Sequence, residues 1–212
     1  MSFITVLKSG GIYTQEHVEQ LFDEFCKYAP EYMDFVCLSD EPGVPGYYPL
    51  LKNYPGWWSK MEVFDQPGPW LYVDLDTVLV GPIDDVVDVA KNNWFTVLRD
   101  FNPQQRLLGT GVMGHGNRED LHLISDRFAR NPEHYMRQCR SPRMWGDQGF
   151  VEDTVVNKWG MKDRLTFFQE EVPGAIVSYK KDVIRSGKIE PYNSIVCFHG
   201  KPRPWETKIR ER

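Results

Sequence analysis

Trp70-Leu71-Tyr72-Val73-Asp74-Leu75-Asp76-Thr77-Val78-Leu79-Val80 carries the strongest structural signal in the sequence. An apolar strand leads into two acids separated by one residue, and a second apolar run leads out. Open α/β sheets bind their ligands at the carboxyl ends of strands, which is where Asp74 and Asp76 fall. If the chain stays extended through Leu75, both carboxylates point to one side and Leu75 to the other. Hard oxygen donors of this kind suit Mg²⁺ or Mn²⁺, ions that take one or two carboxylates and let substrate phosphates complete the shell. A solvated turn would also carry a D-x-D, but two charges set between apolar runs call for something that neutralises them.

Working outward, Phe3 to Leu7 reads as a buried strand, left through the turn Lys8-Ser9-Gly10-Gly11. Thr14 then caps a helix whose Val18, Leu21, Phe22, Phe25 and Cys26 recur at the spacing of one apolar face, and Pro30 breaks it. Phe35 to Leu38 is a second short strand, so the order strand, helix, strand opens an α/β sheet. Residues 39–56 are rich in Pro and Gly and read as a long functional loop. A helix is expected over Trp57 to Phe64, further strands at Trp94 to Leu98, Thr110 to Met113 and Ile195 to Phe198, and helices at Arg118 to Arg130 and Asp147 to Lys158. Trp57 and Trp58 read either as core or as a platform for an acceptor sugar.

The 212 residues, 41% of them hydrophobic, suffice for one domain with a sizeable core. A net charge of -5 argues against a nucleic-acid partner, whose binding needs a basic surface. An acidic chain that handles phosphates needs a local counter-charge, from a bound cation or from a few placed Lys and Arg side chains. The four cysteines form no C-x-x-C pair, which favours a reducing compartment and hence the cytoplasm. The N-terminus enters a strand without a charged leader, and no apolar run is long enough for a transmembrane segment.

Leu71 to Val80 resembles the D-x-D segment of GT-A fold glycosyltransferases, in particular the group of glycogenin and the bacterial lipopolysaccharide galactosyltransferases. Gly109-Thr110-Gly111-Val112-Met113 resembles that group's F-N-x-G-V-[LM] strand, with Gly109 where the Asn usually stands. Gly146-Asp147-Gln148-Gly149-Phe150 resembles its D-Q-D segment at a helix start, with Gly149 in place of the last acid; Asp147 also reads as the N-cap of that helix. His199-Gly200-Lys201-Pro202-Arg203-Pro204-Trp205 resembles its closing H-x-x-G-x-x-K-P-W, with Cys197 at the usual histidine position.

The resemblance implies one GT-A, Rossmann-like α/β/α sandwich over residues 1–212 with a mostly parallel central sheet. The nucleotide-binding part falls at about residues 1–100, the acceptor and catalytic part at 101–200, and a basic tail at 201–212. It implies transfer of a hexose from a nucleotide diphosphate sugar, commonly a UDP-sugar, to a glycan or other hydroxyl acceptor, with retention at the anomeric carbon. Asp74, Asp76 and His199 are then the ligands of Mn²⁺ or Mg²⁺, and Asp147 and Gln148 the catalytic residues. Leu7, Lys8, Tyr13, Lys60, Asp74, Asp100, Gly111, Gly200, Lys201 and Arg203 are the donor-binding set. Lys201 and Arg203 suit a diphosphate leaving group on physical grounds alone, since fixed cations stabilise the charge that develops as the glycosidic bond breaks. With Lys208, Arg210 and Arg212, the same cations read alternatively as a basic tail for peripheral contact with anionic membranes.

Two rivals share the motif. Asp74-Leu75-Asp76-Thr77 also resembles the nucleophile segment of haloacid-dehalogenase-type phosphatases, which expects it on the first strand of the fold. A catalytically inactive nucleotide-sugar-binding module would keep the same pocket without turnover.

Overall fold

The computed structural model describes residues 1–104, 106–116, 120–141 and 144–211. Its first strand, Ser2–Leu7 (β1), buries Phe3 and Leu7 in one apolar cluster and Ile4 in another, so it is covered on both faces as an internal parallel strand must be. The helix expected after Thr14 is Gln15–Tyr28 (α1), with Val18, Leu21 and Phe25 on its buried face. The Thr14 N–H donates to His17 Nδ1 at 3.0 Å, which satisfies one of the donors a helix start leaves orphaned.

Asp34–Ser39 (β2) and the short Tyr47–Pro49 (β3) follow, the latter inside the stretch expected to be all loop. Gly56–Asp65 is a 3-10 helix, close to the expected span but more tightly wound. Its Trp58 to Phe64 are all buried, so tertiary packing fixes it, and the Glu62 carboxylate accepts from the Leu51, Lys52 and Asn53 N–H groups of the preceding loop. Next come Trp70–Val73 (β4), Thr77–Leu79 (β5), Asp84–Asn92 (α2), Phe95–Arg99 (β6) and Leu108–His115 (β7). Leu123–Arg130 (α3) is the described part of the helix expected from Arg118; residues 117–119 lie outside the described residues. Pro132–Gln138 (α4), the pair Arg140–Ser141 (β8) and Met144–Trp145 (β9), and Gly146–Glu152 (α5) lead to a π-helical turn over Asp153–Lys158. Leu165–Phe167 (β10), Phe168–Glu171 (α6), Ile176–Ser178 (β11) and Ile195–Cys197 (β12) complete the strands.

The main sheet has seven strands in the order β10-β6-β7-β4-β1-β2-β3. Only β7 runs against its neighbours β6 and β4; every other pairing in this sheet is parallel. On one face α1 and α2 bring Leu21, Phe25, Val86, Val87 and Ala90 against Leu71 and Val73. On the other, the 3-10 helix, α3 and α5 bring Trp58, Met61, Phe128 and Phe150 against Tyr72, Phe95 and Met113. The result is the α/β/α sandwich expected, with strands from both sides of residue 100 interleaved in one sheet.

A second sheet, β11-β12-β5, was not expected. Ile195–Cys197 belongs to it and not to the main sheet, pairing antiparallel with β5 so that Cys197 faces Thr77. This register returns the C-terminal segment to the residue that follows Asp76.

Candidate active site

Asp74 is the first residue after β4. Its N–H donates to the Gly111 carbonyl at 2.9 Å, and its own carbonyl accepts from the Thr77 N–H at 3.0 Å. The second bond closes a turn over Leu75 and Asp76, so the segment is not extended as expected. Leu75 drops into the core, and it is the turn, not strand alternation, that directs both carboxylates to one place.

Each acid there meets a built-in cation. The buried Lys60 Nζ lies 2.9 Å from Asp74 Oδ1 and 2.9 Å from Asp147 Oδ2, and the Thr110 hydroxyl donates to the same Asp147 oxygen at 2.8 Å. Burial opposes the charge on Lys60, but Asp147 and Asp74 outweigh it and raise its pKa. Arg203 Nη1 pairs with Asp76 Oδ2 and donates to the Tyr13 hydroxyl at 3.1 Å. The Tyr72 hydroxyl donates to Asp74 at 2.5 Å, and burial together with Asp74 raises its pKa, as burial together with Asp76 and Asp74 raises that of Tyr13.

Even so, the cluster remains short of positive charge, with three carboxylates facing two cations. Burial raises the pKa of Asp74, and burial reinforced by Asp74 pushes Asp76 up to about 6 in spite of Arg203. Two hard carboxylates held in this state at the wall of a cavity fit a divalent cation that takes its other ligands from phosphate and water. Among the described residues no group of three or more His, Cys, Asp or Glu side chains is gathered so as to hold an ion unaided.

Two cavities meet at this wall. The first, of about 510 Å³, is bordered by Lys8, Tyr13, Trp57 and Arg203; the second, of about 310 Å³, by Asp100, Arg106, Gln148 and His199. Lys60, Asp74, Asp76 and Asp147 line both. In the second, the Asp100 carboxylate accepts from Gln148 Nε2, from the Asn102 N–H and, at 2.9 Å, from Arg106 Nε. Gly111 lines it too: a Cβ there would sit 3.4 Å from Asp74 Oδ2.

Several expected residues stand elsewhere. Leu7 is a fully buried core residue, and Lys8 at the cavity mouth is paired with Asp40. Asp147 is not the N-cap; that position is Trp145, and Asp147 turns inward from the first turn of α5. Gly200 and Lys201 border neither cavity, and Lys201, 87% exposed, lies 3.6 Å from Glu206. His199 borders the second cavity, but its Nε2 is hydrogen-bonded to Ser178 Oγ at 2.8 Å and its ring stacks on Phe101. Burial, with Lys180 and Lys181, lowers its pKa, and among the described residues it is not gathered with Asp74 and Asp76 into a metal cluster. The basic tail folds back: Arg203 is taken by Asp76, and Arg210 by Glu24 and Gln20. Sequence reasoning missed Tyr72, Thr110, Arg106 and Trp145. For Tyr72 the signal was there, two residues before Asp74 and thus on the same side of the strand.

The architecture has solved counterparts. Glycosyltransferase GlyE of Streptococcus pneumoniae TIGR4 superposes with a TM-score of 0.63 at 13% identity, covering 99% of this chain and 59% of its own. Galactosyltransferase LgtC, solved with donor and acceptor sugar analogues, gives 0.60 at 11% identity over 97% of this chain and 89% of its own. Mouse xyloside xylosyltransferase 1 gives 0.53 at 11% identity, over 95% and 98%. The chain has the GT-A glycosyltransferase fold. It spans about three fifths of the length of GlyE. No protein-family model matches the chain, and no curated sequence does. The acid pair follows the fourth strand of the chain, which is also the central strand of the seven-stranded sheet, not the first strand on which the phosphatase reading expects its motif.

Proposed function

We propose that the chain is a glycosyltransferase that moves a hexose from a nucleoside diphosphate donor, with uridine as the base, to a hydroxyl acceptor. The observation that carries this reading is the junction of two cavities at one charged wall within a GT-A fold. Both volumes lie in the range of small-molecule sites, about 300–1,000 Å³. In this reading the nucleoside enters the larger cavity beside Tyr13, the diphosphate lies along Arg203 and Lys60, and the donor sugar occupies the smaller one. Asp100, held by Gln148 and Arg106, accepts hydrogen bonds from the sugar hydroxyls.

In the reaction the bond from the anomeric carbon to the diphosphate oxygen breaks, and its electron pair leaves with that oxygen. The acceptor oxygen bonds to the anomeric carbon, and its proton passes to the departing phosphate. Arg203 and Lys60 are fixed before the reaction and stabilise the charge that collects on the leaving group without having to reorganise. A Mn²⁺ or Mg²⁺ ion held by Asp74 and Asp76 would add Lewis-acid stabilisation of the same diphosphate. In this reading Asp147, 2.9 Å from Lys60 and lining both cavities, is the acid beside the carbon under attack.

The free thiols Cys26, Cys37, Cys139 and Cys197 accord with a reducing compartment such as the cytoplasm. Among the described residues no helix is long and apolar enough to cross a membrane.

The test is release of nucleoside diphosphate from a panel of UDP-, GDP- and ADP-sugars, with and without Mn²⁺. The reading expects release from one donor class, stimulated by Mn²⁺ and lost in Asp76→Ala. Binding without release from any donor, with or without added sugars, would instead make the chain an inactive nucleotide-sugar-binding module.

A further inference from the structure

The two cations of the site are held in different ways. Lys60 is buried and bridges Asp74 and Asp147, so moving it would strand two carboxylates. Arg203 pairs with Asp76, and its side chain, 22% exposed, lines the larger cavity. Its guanidinium can therefore turn from the acid toward the cavity without leaving the wall. The Tyr13 hydroxyl completes a triangle with the pair, accepting from Arg203 at 3.1 Å and hydrogen-bonded to Asp76.

The backbone that carries Arg203 is tied on both sides. Upstream, β12 is paired with β5. Downstream, the Arg203 N–H donates to Glu206 at 2.8 Å across the 3-10 turn Pro204–Glu206, and the Trp205 and His17 ring centroids are 4.3 Å apart. Farther on, Arg210 reaches Glu24 and Gln20 of α1, both at 2.7 Å. Turning Arg203 thus asks for rotations of one side chain and not for release of the segment.

Asp76 lines both cavities, and its Oδ2 is the atom that Arg203 holds. A divalent ion on the acid pair and a guanidinium on the same carboxylate repel each other strongly in a half-dry site. An ion arriving alone therefore has to displace Arg203 and leave it without a counter-charge. A diphosphate in the larger cavity removes that cost, because it offers the guanidinium a bidentate oxyanion at the same wall.

We propose that Arg203 is an internal competitor for the ion: it holds Asp76 in the free protein, yields it to the ion, and passes to the diphosphate. Ion and nucleotide are then coupled through this one side chain, and by linkage each tightens the other by the same factor. The second half rests on the glycosyl-transfer reading above; the competition for Asp76 does not.

The test is a titration of Mn²⁺ into the full chain, with free Mn²⁺ counted by electron paramagnetic resonance, with and without saturating uridine diphosphate. It is run on the wild type, on Arg203→Ala and on Arg203→Gln, which keeps length without charge. The expected result has two opposite signs: without nucleotide the variants bind Mn²⁺ about tenfold more tightly, and the factor by which uridine diphosphate tightens Mn²⁺ falls at least about tenfold. An arginine that only contacts phosphate would leave the first quantity unmoved, and one that only repels the ion from a fixed position would leave the second. The proposal is overturned if Mn²⁺ affinity without nucleotide stays within about twofold of wild type, or if the coupling factor is the same in all three proteins; uridine diphosphate still binding with Mn²⁺ would then leave the glycosyl-transfer reading in place. Tighter Mn²⁺ in the variants, with no nucleoside diphosphate bound by any of the three, would overturn the passage to the diphosphate and the glycosyl-transfer reading with it, and keep only the competition.

Discussion

At the scale of the residue, the site is a set of acids that the chain has only partly neutralised. Lys60 shows this most sharply, because it is buried and holds Asp74 and Asp147 together. Lys60→Met keeps the bulk of the side chain but leaves two carboxylates facing each other, and should lower stability by about 3 kcal/mol, read from urea midpoints, because breaking a buried ion pair strands the remaining charge. Added Mn²⁺ should restore more stability to Lys60→Met than to the wild type. Asp40 predicts a pH dependence. Burial pushes its carboxyl up, but hydrogen bonds from Lys8 and Ser9 outweigh this and hold it down to about 2. A depressed carboxyl contributes stability above the unfolded value of about 4 and loses it as pH falls through the folded one, so Asp40→Asn should be less stable than wild type at pH 7 and approach it as pH falls through about 2. Urea unfolding across that range checks the sign. At this scale the acid pair was legible, since strand-end position and spacing are local. That Arg203 and not Lys201 turns inward was not, because two cations on either side of Pro202 look alike until the path of the backbone is known.

At the scale of the element, the turn after β4 and the pairing of β5 with β12 do the positioning. The three residues of β5 are too few to show a period, so the run Val78-Leu79-Val80 read only as apolar chain leaving the acids. β12 was legible as a strand but not its partner, because an antiparallel pairing across more than a hundred residues leaves no local trace. The 3-10 helix at Gly56–Asp65 was legible in position but not in winding, which its burial and the Glu62 contacts impose from outside. The pairing of β5 with β12 carries a prediction. Since it delivers Arg203 to Asp76 and Tyr13, Arg203→Ala should weaken uridine diphosphate binding by about tenfold, the cost of one charge-assisted contact, with the fold retained. Calorimetric titration gives the affinity, and circular dichroism checks the fold; unchanged affinity would place the diphosphate elsewhere.

At the scale of the whole molecule, the order of strand, helix and strand at the N-terminus and the motif series along the chain made the GT-A sandwich readable. The second sheet was not, because its strands are each three residues long. A ligand seated where the two cavities meet touches β4, β7, α5 and the C-terminal segment together, so binding should stabilise the molecule as a unit. At a hundredfold excess over its dissociation constant a ligand adds about 2.7 kcal/mol, which for a chain of this size raises Tm by roughly 5–10 °C. The most direct measurement is calorimetric titration of uridine diphosphate with Mn²⁺ into the wild type and into Asp76→Asn. The prediction is one site per chain in the wild type, weakened at least about tenfold in the variant, where the acid that faces Arg203 has lost its charge. Equal affinity in the two proteins, or no heat from any nucleoside diphosphate in either, would contradict it.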